Sequence, residues 1–73
     1  MFELFIGNYE NVIGTTVYYK THNKYIRCYC SNYYFKPRMY TLVPAEDMDA
    51  IPPERASLRR CYLTSKVYIK KEV

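Results

Sequence analysis

Apolar positions recur with a period of two through most of this chain, and that period predicts strands. FELFI (2–6) reads as a short strand that ends at Gly7-Asn8. VIGTTVYYK (12–20) is rich in β-branched and aromatic residues, and KYIRCYC (24–30) alternates cleanly. Ile26, Cys28 and Cys30 fall on one face of that segment, and Tyr25, Arg27 and Tyr29 on the other. Thr21-His22-Asn23 between them suits a tight turn, since Asn tolerates positive φ. Residues 12–20 and 24–30 are therefore expected to form a β-hairpin.

Beyond it, Ser31-Asn32 predicts a turn or bulge and YYF (33–35) a continuation of the sheet. Pro37 cannot donate to a ladder, so an edge or loop is expected there. MYTLV (39–43) and KVYIKK (66–71) read as further strands, the latter with Val67 and Ile69 inward and Lys66, Tyr68 and Lys70 outward. PAEDMDAIPPE (44–54) breaks the pattern: it reads as an acidic, Pro-rich loop holding at most one helical turn, stopped by Pro52-Pro53. ERASLRRCYL (54–63) fits both periods, and helical spacing separates charge from apolar residues slightly better. Lys71 to Val73 are expected to fray. The fold class predicted is mainly β, with a small α+β fold as the variant: four to five antiparallel strands as a curled sheet or small barrel, and one short helix or helical turn in the 45–62 region.

Length makes this a single small domain, 1–73, with a thin core. Ten Tyr and three Phe supply the bulk that such a core lacks. No signal-like segment is read, and no apolar run reaches the length of a membrane span, so a cytoplasmic protein without membrane association is expected. Net charge is +4, and its layout matters more. Asn11 to Ala45 contains no acid but carries Lys20, Lys24, Arg27, Lys36 and Arg38. Glu46, Asp47, Asp49 and Glu54 then cluster, and Arg55 to Lys71 is basic again. A basic body with one acidic insert favours anionic or mixed-charge partners.

Catalytic signatures are missing. Two glycines, Gly7 and Gly14, cannot build a phosphate-cradling loop, and no serine sits in a nucleophile elbow. No enzyme activity and no cofactor are expected. Cys28, Cys30, Cys61 and His22 are chemically able to make a Cys3His zinc site, but C-x-C on a strand lacks the usual knuckle spacing. Buried small hydrophobes are the simpler reading of these thiols. An odd cysteine count leaves no closed disulfide framework, which fits a reducing compartment.

The chemistry that remains is KYIRCYCSNYYFKPRMY (24–40), where rings and cations alternate. Tyr25, Arg27, Tyr29, Tyr33, Tyr34, Lys36, Arg38 and Tyr68 are the expected partner-binding residues. Tyr and Arg are the residue types enriched at protein-binding hot spots. The function this predicts is a non-enzymatic binding protein that docks its Tyr/Arg sheet face onto a larger protein, of acidic or mixed-charge surface, to inhibit or modulate it. Single-stranded RNA or DNA is the alternative partner, because bases stack on rings and phosphates pair with cations. A zinc-stabilised module is the second alternative, and a homodimer would also cover a Tyr-rich face.

Overall fold

The computed structural model describes residues 1–71. Six antiparallel strands form one curled, half-barrel sheet: β1 (Phe2–Leu4), β2 (Thr16–Lys20), β3 (Tyr25–Phe35), β4 (Arg38–Pro44), β5 (Tyr62–Thr64) and β6 (Tyr68–Lys70). Their order across the sheet is β1-β6-β2-β3-β4-β5, so the two ends of the chain pair with each other. One short helix, α1 (Ala45–Ala50), and two 3-10 segments, Tyr9–Asn11 and Pro53–Leu58, complete the fold. The sheet stays open, and its two edges are the three-residue strands β1 and β5. Short edges offer few unpaired backbone groups to another chain.

The mainly-β reading and the central hairpin hold. Val17 pairs with Cys28 and Tyr19 with Ile26, and Cys28 and Cys30 are buried as the alternation requires. The hairpin turn, however, uses no left-handed residue: among the described residues no non-glycine has positive φ. Thr21 makes the turn instead. Its backbone N–H donates to the Lys24 carbonyl at 2.8 Å, and its hydroxyl accepts from the Lys24 N–H at 3.2 Å. β2 also starts later than expected, at Thr16, because residues 9–15 wrap over the sheet. Gly14 ends that wrap at φ +83°, a conformation that favours glycine, and its N–H donates to the Cys30 carbonyl at 2.8 Å.

Three further departures have physical reasons. Residues 54–63 are divided: Pro53–Leu58 is 3-10 and residues 62–64 join the sheet as β5, which raises the strand count to six. Neither the helix nor the strand reading of that segment covers it alone, and Leu58 and Cys61 are exposed rather than on an inward stripe. The short helix expected in the 45–62 region is α1, but the acidic stretch 44–54 around it is more ordered than a loop: Pro44 stands at the N-cap of α1, and Asp47 is buried. Lys71 is also tied down, its N–H donating to the Met1 carbonyl at 2.7 Å and its Nζ lying 3.3 Å from Glu3. The expected fraying of Glu72 and Val73 lies outside the described residues.

The core lies on the concave face. Val17, Cys28, Cys30, Leu42 and Val67 are essentially inaccessible, joined by Val12 and Tyr40. Phe5, Tyr9, Ile13 and Tyr62 pack around them as a partial lid. Burying such side chains contributes roughly 1.5–3 kcal/mol each.

Candidate partner-binding surface

A bulge in β3 decides which of the predicted residues share a face. Register with β4 shifts by one between Cys30 and Asn32, leaving Ser31 without a partner of its own. Without the shift, Tyr33 would follow Tyr25, Arg27 and Tyr29 outward. With it, Tyr33 pairs with the buried Tyr40 and turns to the concave side. There it stacks on Tyr9, with ring centroids 4.8 Å apart and planes at 13°, and meets Tyr40 at 4.6 Å. Tyr34 is turned outward instead and is 51% exposed. The eight expected residues therefore separate. Tyr25, Arg27, Tyr29, Tyr34 and Tyr68 belong to the convex face. Tyr33 is an aromatic support beneath the sheet, and Lys36 and Arg38 stand at the β3–β4 turn.

The convex face has two parts. At one end its rings pack on one another. Phe2 stacks on Tyr25 at 4.1 Å and meets Tyr18 edge-on at 4.8 Å, and Tyr25 meets Tyr68 edge-on at 5.4 Å. Lys20 Nζ lies over the Tyr25 and Tyr68 rings at 5.9 and 5.7 Å. Such contacts add about 0.5–1 kcal/mol each at an exposed site. This cluster joins β1 and β6 to β2, which share a single registered pair, Tyr18 with Tyr68. Sequence reasoning missed Phe2 here, because β1 and β6 come from opposite ends of the chain; it also missed Tyr18 and Lys20, which the expected hairpin sets opposite Arg27 and Tyr25 and so could have found.

At the other end Tyr29 stacks on no other ring among the described residues and is 36% exposed. Tyr29 is exposed beside Arg27, and α1 borders both. Thr16, Arg27 and Tyr29 line a cleft of about 260 Å³ with Ala45, Met48 and Asp49. A second cleft of about 350 Å³ lies between Lys24, Arg27, Ile26 and Tyr62 on one side and Ala45, Glu46 and Arg60 on the other. Arg27 thus belongs to both clefts, with acids at each rim.

The acidic insert is held by Arg60. The Arg60 backbone N–H donates to Asp47 Oδ2 at 2.7 Å, and its Nη2 donates to Asp47 Oδ1 at 2.8 Å and also to Glu46. Hydrogen bonding to Arg60 holds the Asp47 carboxyl below the usual carboxylate range and raises the Arg60 guanidinium in return. Arg59 Nε donates to the Ile51 carbonyl at 2.9 Å, at the end of α1. Two cations from the late basic block are consumed by this docking. Among the described residues, Arg27, Lys24, Lys36 and Arg38 make no ion pair.

The zinc ligands considered from sequence are not brought together. Cys28 and Cys30 lie in the core, where burial pushes the Cys28 thiol up to about 11 and raises Cys30 as well. Cys61 is exposed, and His22 sits in the hairpin turn. Among the described residues no group of three or more His, Cys, Asp or Glu is placed to hold a metal. No helix of the described residues is long and apolar enough to cross a membrane. Compared with known proteins, the chain matches no family model, no curated protein and no solved structure.

Proposed function

We propose that this is a non-enzymatic binding protein that docks the convex face of its sheet onto a larger protein and so inhibits or modulates it. The observation that carries this reading is the meeting of Arg27 and the exposed Tyr29 with acidic α1 across one cleft. Arg27 has no ion-pair partner among the described residues, and Asp49 stands at the rim of the same cleft. A patch carrying both signs of charge around exposed rings complements a protein surface with its own mixed charges. A nucleic-acid backbone would meet Asp49 as it approached Arg27, and Phe2 already occupies one face of Tyr25. Three cysteines without a disulfide accord with a reducing, cytoplasmic setting.

Two measurements test the reading together. Fluorescence anisotropy of labelled random single-stranded RNA and DNA, at low salt, should show no binding. Binding with a log–log salt slope near −0.7 per phosphate neutralised would assign the face to nucleic acid instead. Affinity capture with wild type and Arg27→Glu should then recover a partner protein that the variant binds more weakly by more than about 1 kcal/mol. Equal affinity would remove Arg27 from the interface, and a second copy of this chain as the sole partner would make the face a homodimer interface.

A further inference from the structure

The β3–β4 ribbon projects beyond the rest of the sheet. β2 pairs with β3 only as far as Tyr29, and β5 pairs with β4 only from Tyr40 to Leu42. Residues 32–39 are therefore two strands with no sheet neighbour on either side, closed by the two-residue turn Lys36-Pro37. An isolated two-stranded ribbon is marginal in water. This one is braced from below. Tyr9, on the 3-10 segment, stacks on Tyr33, and both rings meet Phe35 edge-on, at 5.1 and 5.4 Å. Phe35 is nevertheless 61% exposed. A large apolar ring is thus fixed in orientation by two others and presented to solvent, which is what a binding anchor requires: contact area with its ordering entropy already spent. Lys36 and Arg38 flank it, and neither makes an ion pair among the described residues. No acid occurs anywhere between Asn11 and Ala45.

We propose that this ribbon is an insertion arm that seats Phe35 in an apolar pocket of a partner protein, with Asp or Glu at the pocket rim facing Lys36 and Arg38. The proposal rests on the reading above, that the chain works by binding a larger protein, and adds a second contact to it. A shaped protein pocket fits better than a lipid surface. Lys36 and Pro37 are the foremost residues of the arm and Phe35 lies against Tyr9 and Tyr33, so its ring is held to one side of the ribbon and not at the tip that would enter a bilayer first, whereas a groove in a protein can receive it from that side.

The test is site-specific photo-cross-linking with p-benzoylphenylalanine at position 35 and, separately, at position 29, in lysate of the cells that make the protein. Cross-links from position 35 to one protein, on a peptide containing Asp or Glu, are expected. Phe35→Ser and the double variant Lys36→Glu, Arg38→Glu should each lower capture of that protein by at least about tenfold. Their far-ultraviolet circular dichroism should stay unchanged, since all three positions are exposed. Cross-links from position 29 but not 35, or capture unaffected by Phe35→Ser, overturn the arm and leave the convex-face reading standing. No cross-link from either position overturns both. Phe35-dependent binding to phosphatidylserine vesicles, with no protein cross-link, overturns the protein pocket in favour of a membrane.

Discussion

Tyr19 stacks on Tyr62 at 4.6 Å with 14° between the ring planes, although β3 and β4 separate their strands in the sheet. Neighbouring strands lie about 4.8 Å apart, so in a flat sheet these rings would be roughly 14 Å from one another. Their contact is the closure that turns the sheet into a half barrel. A double-mutant cycle on Tyr19→Ala and Tyr62→Ala, followed by urea unfolding, should show a coupling of about 0.5–1.5 kcal/mol beyond the burial each ring loses. Purely additive losses would mean that the curl is held by the strands alone.

Leu42 and Leu63 provide a contrast in burial on paired strands. Leu42 is fully buried and Leu63 is 61% exposed. Leu42→Ala should cost about 2–5 kcal/mol, a large fraction of the stability of so small a domain. Leu63→Ala should stay within about 0.5 kcal/mol of wild type. Urea midpoints of the two variants check both values.

Asp47 links stability to acid. Its carboxyl is held low by Arg60, so the stabilisation is present above the unfolded value of roughly 3.9 and is lost as pH falls through the lower folded value. Asp47→Asn should lower the thermal midpoint at neutral pH and flatten its decline between about pH 5 and 2. Arg60→Ala should also destabilise at neutral pH, because it removes the guanidinium from Asp47 and leaves the carboxylate only the backbone N–H of residue 60. An Asp47→Asn midpoint equal to wild type at neutral pH would mean that the charge of Asp47 opposite Arg60 contributes nothing.

The three thiols should differ in reactivity. Cys61 is exposed, while Cys28 and Cys30 are buried with their thiols raised. Native protein should titrate one thiol rapidly with a disulfide reagent and all three after denaturation. Burial raises both thiols, so the protonated form stabilises the fold. The contribution is intact below the unfolded thiol value, about 8.5, and is lost as pH rises toward the Cys28 value of about 11. Stability should therefore fall in mild alkali, and Cys28→Ala should reduce that fall. Three fast thiols in the native state would contradict the burial.

The alternation of residues 24–30 by itself determined that Ile26, Cys28 and Cys30 face the core and that Tyr25, Arg27 and Tyr29 face away. Side-chain period is a local property, and a strand with one buried face cannot slip without exposing it. Val67 inward, just before β6, and Tyr68 outward on it were legible for the same reason. Three other features depended on contacts between residues far apart in sequence. A turn or bulge at Ser31-Asn32 was legible, but its exact place, which sends Tyr33 under the sheet, was not, and nothing in YYF states which ring turns inward. Residues 62–64 became a strand because Leu42 offers Tyr62 a partner and Tyr19 offers it a ring. The acidic stretch became an ordered, docked helix because Arg60, thirteen residues on, reaches Asp47. Periodicity carries one face of one strand. Which strands and charges meet is decided only when the sheet closes, by the contacts that repay the entropy of bringing distant segments together.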